Sequence, residues 1–246
     1  MAKASGRYLL EWEQQRCDEA VADIFGYHSL QLGLPMLQAL RHNRMPHRWV
    51  AEQCADLNLE NAACQEPERV QLYCAPEALP FGEASLDLVV MPHTLELCSD
   101  PHAALREAVR VLVPEGRLLV FGLNPMSLWG VQDGFEGLPS GDLNAWRGLP
   151  QWRVRDWMQL LAMEVVACDF GCHMPAVETD AWMARWQWLD KLGHTAWPLL
   201  GGAYCMLAVK KVHGMRLMDP GWRKSKAAPA RASATACQPA PQRKEI

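Results

Sequence analysis

The sequence predicts an α/β protein organised around a parallel sheet, and three observations between Ala75 and Asn124 carry that expectation: an apolar run bounded by turn residues, a capped amphipathic helix, and a second apolar run. The first run, Leu86-Asp87-Leu88-Val89-Val90-Met91, follows the Pro and Gly of Leu79-Pro80-Phe81-Gly82-Glu83. Its continuous apolarity suits a strand covered on both faces. Ser99-Asp100-Pro101 offers an N-cap with proline at the first helical position. Leu105, Ala108, Val109 and Leu112 then recur at i, i+3, i+4 and i+7, so a helix is expected from Pro101 to Val113. Pro114-Glu115-Gly116 stops it, and Arg117-Leu118-Leu119-Val120-Phe121-Gly122 resumes a strand.

Two apolar strands joined by one helix make a right-handed crossover between parallel neighbours the economical topology. Ligands on such sheets sit beyond the carboxyl ends of the strands. Pro92, His93, Thr94 and Glu96 after the first strand, and Leu123, Asn124 and Pro125 after the second, are therefore expected to line one crevice.

The 246 residues are half hydrophobic, ample for one sizeable core. The net charge is −4, but it is unevenly spread. From Lys210 onward nine Lys/Arg face two acids, leaving fifteen against twenty-six in the preceding chain. Residues 214–246 are rich in Ala, Pro, Ser and Lys/Arg without an apolar period beyond Trp222, so this basic tail is expected to be disordered. Such a tail can touch nucleic acid or anionic lipid, though a solvated tail is the simpler expectation.

Nine cysteines without a CxxC pair, and an N-terminus lacking an apolar signal core, fit a reducing cytosol. Cys168, Cys172 and His173 have no second ligand cluster to complete a metal site, so none is expected. The apolar stretch Trp197 to Val209 is broken by Pro and Gly and reads as a strand rather than a membrane span. Arg153 to Ala162 carries Val154, Trp157, Met158, Leu160 and Leu161 at helical spacing. Trp182, Trp186 and Leu189 lie at i, i+4 and i+7, suggesting a helix that either packs in the core or covers an apolar substrate.

Leu79-Pro80-Phe81, Leu86-Asp87-Leu88-Val89-Val90, His93-Thr94-Leu95-Glu96, Asp100-Pro101 and Arg110 to Leu118 resemble the core of class I S-adenosylmethionine-dependent methyltransferases of the type 11 group. Gly26-Tyr27-His28, Phe121 to Gly130 and Arg155 to Leu161 resemble a narrower group, bacterial methyltransferases of the YafS type. The resemblance implies a Rossmann-like seven-stranded sheet with helices on both faces and a C-terminal antiparallel hairpin formed by Val165–Phe170 and Tyr204–Lys211. It further implies S-adenosylmethionine bound over the first four strand ends and a methyl group passed to a small-molecule acceptor. In these terms residues 1–20 are an N-terminal extension and 21–213 the methyltransferase-like domain.

Carried onto this sequence, the cofactor-binding candidates are Gln31, Gly33, Glu52, Glu77, Leu79, Pro92 and His93. Departures from the pattern are as informative. The turn after the first strand, normally rich in small residues, is Gln31-Leu32-Gly33-Leu34-Pro35, where only Gly33 allows close backbone approach. Ala75 stands where an acid usually receives the adenine amino group, leaving Glu77 as substitute, and Glu52 is the one acid placed to read ribose hydroxyls. His93 stands where a base for the acceptor would stand, although positioning the cofactor is the favoured role. The sequence supports a methyltransferase of unknown acceptor. The main alternative is a degenerate module of the same shape with weak or no donor binding. Gly-x-Gly-x-x-Gly is absent, which disfavours a dinucleotide, and the Trp-rich stretch leaves an interaction scaffold open.

Overall fold

A computed structural model describes residues 4–53, 70–127, 148–174 and 200–211, all within the unit Met1–Val212. The Trp-rich stretch around Trp182 and the basic tail lie outside the described residues. The elements are α1 (Ala4–Ala22), β1 (His28–Leu32), β2 (His47–Gln53), β3 (Leu72–Cys74), β4 (Leu86–Pro92), α2 (Thr94–Leu97), α3 (Pro101–Val111), β5 (Leu112–Leu123), α4 (Gln151–Leu160), β6 (Met163–Gly171) and β7 (Ala203–Lys210).

The seven strands form one sheet in the order β3-β2-β1-β4-β5-β7-β6. The first five positions are parallel, and β7 runs antiparallel to both β5 and β6, which gives the expected terminal hairpin. Alternation along the central strands divides the core in two. Val89 and Met91 of β4, with Leu118 and Val120 of β5, join Leu105, Ala108, Val154 and Met158 of α3 and α4. Leu88, Val90, Leu119 and Phe121 point the other way, against Cys17 and Val21 of α1 and against Leu37, Leu40 and Met45. The helix assigned by sequence to an N-terminal extension thus contributes to one face of the core.

Local chemistry explains α3 at both ends. The Asp100 side chain accepts from the Ala103 amide at 2.9 Å, Pro101 follows it, and Lys210 of β7 donates to the terminal carbonyls of Val109 and Leu112 at 2.8 and 2.6 Å. The helix closes at Val111, two residues before the sequence expectation. There the chain enters β5, and the pairing register jumps from Leu86–Leu112 to Leu88–Arg117. Pro114-Glu115-Gly116 lies within the bulge, with Glu115 at φ 63°.

The connection from β1 to β2 departs most from a doubly wound sheet. Residues 33–46 form successive turns with no helix, where such crossovers usually carry one. The Gln31 amide holds this segment from inside. Its Nε2 donates to the carbonyls of Leu37 and Leu34 at 2.6 and 3.0 Å, and its Oε1 accepts from the Ala39 amide at 3.1 Å. No described helix is long and apolar enough to cross a membrane.

At the other end of the sheet, Gly122 on β5 leaves room for the Tyr204 ring; a Cβ there would fall 2.3 Å from the hydroxyl. The buried Tyr204 hydroxyl donates to the Leu149 carbonyl at 3.0 Å, fixing the segment that leads into α4. Tyr204→Phe should lower stability in urea denaturation by about 1–3 kcal/mol, because the Leu149 carbonyl loses its donor in the interior.

Candidate functional site

A cavity of about 830 Å³ opens beyond the carboxyl ends of β2, β3 and β4, where the fold places ligands. Its described walls come from the end of β2 (Gln53), the turn after β3 (Ala75 to Glu77), α2 and its exit (Leu95 to Ser99), and the start of α4 (Leu149, Pro150, Arg153 and Trp157). The wall is mixed, with leucines and prolines beside two carboxylates and one guanidinium.

Each polar side chain on the strand side is engaged. Glu77 Oε1 accepts from the Ser99 hydroxyl at 3.1 Å and from the Asp100 amide at 3.4 Å, so one carboxylate joins the turn after β3 to the start of α3. Gln53 Nε2 donates to the Leu97 carbonyl at 3.5 Å. The preceding turn is pinned by α3: Glu107 Oε1 accepts from the Leu79 amide at 3.0 Å, and Arg110 donates to the Phe81 carbonyl at 2.9 Å. Leu79 itself enters the core.

Beneath the cavity floor lies a buried charged network. His93 follows β4 in a left-handed conformation, φ 54°, and caps α2. Its side chain is 0% exposed. Nδ1 faces Glu96 Oε2 at 2.9 Å, and Nε2 faces Glu13 Oε1 of α1 at 2.5 Å. Only the imidazolium donates from both nitrogens. Burial by itself lowers the His93 pKa, but the charges and hydrogen bonds of Glu13 and Glu96 outweigh it and push the group up to about 10. Burial raises the Glu96 carboxyl above its ordinary range, against the opposing influence of His93. The other Glu96 oxygen accepts from the Leu123 amide, which ties the ends of β4 and β5 together. The second Glu13 oxygen is buried without a hydrogen-bond partner.

The turn after β1 is closed by protein atoms. Gly33 has φ +88°, and a Cβ on it would lie 3.1 Å from the Thr94 hydroxyl. Thr94 in turn donates to the Leu32 carbonyl. The closest approach of backbone at this turn is therefore to Thr94, on the segment after β4.

The structure distributes the seven sequence candidates unevenly. Glu77 lines the cavity. Glu52 is half-buried at the end of β2, one residue before the wall residue Gln53. Gln31, Leu79, Pro92 and His93 are buried and shape the site from behind, while Gly33 sits in the closed turn. Of the residues expected in one crevice, Glu96 reaches the cavity, whereas His93, Thr94 and Asn124 are interior. Gln53, Ser99, Arg153 and Trp157 were not anticipated. Strand alternation puts Gln53 on the face opposite Glu52, a distinction that needs the register, and α4 reaches the cavity only through tertiary packing.

Residues 36–120 match the family Methyltransf_11, described as a methyltransferase domain. The matched segment begins beyond β1 and its glycine. The chain is 33% identical over 143 residues to the uncharacterized protein YafS of Escherichia coli (strain K12), covering 58% of this chain and 55% of that protein. It is 28% identical over 147 residues to the malonyl-[acyl-carrier protein] O-methyltransferase of Hahella chejuensis (strain KCTC 2396), covering 57% and 50%. The alignments thus span about half the length of each relative. A SAM-dependent methyltransferase from Archaeoglobus fulgidus aligns with a TM-score of 0.57 at 13% identity, over 82% of this chain and 94% of that one, which is a likeness of fold.

Two outcomes follow for this region. The unfolded chain releases the His93 proton near pH 6.5, the folded chain near 10, so its contribution to stability is complete below 6.5 and is lost as pH rises through the folded value. Urea denaturation from pH 6 to 10 should show that decline; His93→Gln should flatten it and, by stranding buried carboxylates, cost about 3–5 kcal/mol at neutral pH. Gly33→Ala should destabilise by about 1–2 kcal/mol in the same assay, since its left-handed backbone disfavours a side chain and Thr94 crowds the position.

Proposed function

We propose that this chain, a type 11 methyltransferase domain on a class I methyltransferase sheet, binds S-adenosylmethionine with its adenosine portion in the cavity beyond β2, β3 and β4 and methylates a small-molecule acceptor. The observation that carries the reading is the place of that cavity. It lies at the strand ends where such sheets take ligands, and its walls come from four separate segments. The family match and the O-methyltransferase relative support the same activity.

When bound, the cofactor supplies an electrophilic methyl group, so that a bond from an acceptor lone pair forms as the carbon–sulfur bond breaks and its electron pair stays on sulfur. This chain's own contribution is placement. Ala75 to Glu77 and Leu95 to Cys98 provide the apolar and carboxylate surface for the adenine and ribose, with Gln53 and Glu52 at the end of β2. Gln31, Leu79 and Pro92 hold those segments in position. His93, enclosed between Glu13 and Glu96, positions α2 and takes no proton from the acceptor.

The residues fit the two ends of the donor unequally. The adenosine end has a roomy, partly apolar cavity. The turn after β1, which would meet the amino-acid end, is filled by the Gln31 amide and the Thr94 hydroxyl. This closure favours a second reading, a methyltransferase-shaped module with weak donor affinity.

Thermal denaturation with S-adenosylmethionine, S-adenosylhomocysteine and 5′-methylthioadenosine separates the two readings. Under the first, all three ligands raise Tm, and one at a hundred times its Kd adds about 2.7 kcal/mol. Methylthioadenosine, which lacks the amino-acid end, should bind within about tenfold of S-adenosylhomocysteine, because few groups reach that end. The absence of any shift at millimolar ligand would leave the module reading.

A further inference from the structure

We propose that Arg153, at the α4 side of the cavity, receives the carboxylate of an apolar organic acid, and that this acid is the acceptor class of the site. The inference rests on the donor reading above for the word acceptor, but not for the binding site itself.

Arg153 lines the cavity from the first turn of α4, with its guanidinium carbon 6.0 Å from the centre of the Trp157 ring one turn further on. Trp157 is held in turn by the edge of His102, with centroids 5.8 Å apart and planes at 89°. At that distance the ring offers the cation a cation–π attraction, which uses none of its N–H donors. No described residue accepts a hydrogen bond from it or pairs with it.

The rest of the wall contrasts with this. Gln53, Glu77, Ser99 and Glu96 all have hydrogen-bond partners within the protein. Arg153 is therefore the described wall residue with a full set of uncommitted strong donors, arranged in the fork that matches a carboxylate. Leu149, Pro150 and Trp157 line the same cavity and give it apolar surface suited to the body of the ligand. Glu77, elsewhere on the same wall, adds negative charge, which disfavours a phosphate dianion or a second carboxylate and selects a monoanion with one charged end.

The test uses the full chain and ligand-observed NMR with straight-chain and aryl-substituted monocarboxylic acids, 3-phenylpropionate among them, each beside its neutral amide. Wild type should prefer acid over amide by about tenfold, the size of one charge-assisted contact. Arg153→Gln should abolish that preference and Arg153→Lys should keep part of it. Arg153 is exposed on α4, so both variants should melt with the wild type. S-adenosylhomocysteine and 5′-methylthioadenosine are titrated in parallel. If Arg153→Gln weakens the former and spares the latter, the arginine serves the donor's own carboxylate and the acceptor assignment falls. If no acid is preferred over its amide, the carboxylate site falls. If acids bind through Arg153 while neither nucleoside binds, the donor reading fails and the carboxylate site stands.

Discussion

The interior contact between His93, Glu13 and Glu96 holds the functional end of this molecule together. One imidazolium joins three parts of the chain: α1 through Glu13, the end of β4 through its own backbone, and α2 through Glu96, whose second oxygen reaches Leu123, the last residue of β5. A buried ion group of this kind need not add net stability over an apolar substitute, but it is costly to break once made, and it has one satisfactory geometry. Its consequence is positional. The left-handed backbone at His93 turns the chain sharply into α2, and α2 supplies the floor of the cavity.

The same network explains why the strand tips differ in character from one end to the other. Thr94, carried by His93 into the space beside Gly33, bonds to the Leu32 carbonyl and closes the turn after β1. With no helix in residues 33–46, the Gln31 amide takes over the task of ordering that connection. The chain thus uses polar groups for internal bracing at one end of the strand tips and leaves an open, mixed cavity at the other.

Much of the sheet was legible in the residues themselves. The apolar run from Leu86, the Asp100-Pro101 cap and the period of α3 each express a local rule that the structure keeps, whereas Pro114-Glu115-Gly116, expected to separate helix from strand, lies in a bulge within β5, which already begins at Leu112. The terminal hairpin followed from the resemblance. The site was less legible. Glu77, offered as a substitute acid, lines the cavity, whereas His93 and Gln31, carried over from the resemblance as cofactor-binding candidates, are interior. A polar side chain after a strand looks the same in sequence whether it faces a ligand or satisfies buried backbone.

What the sequence by itself determined is therefore the local elements β4, α3 and α4 and the apolar face of each, because period, caps and turn residues act over a few positions. Tertiary structure alone decided which polar groups remain available. Glu13 lies eighty residues from His93, and Arg153 more than fifty from the α2 segment whose cavity it shares. Whether such a group is consumed by a partner or left facing a ligand depends on contacts between distant segments, for which no local pattern exists.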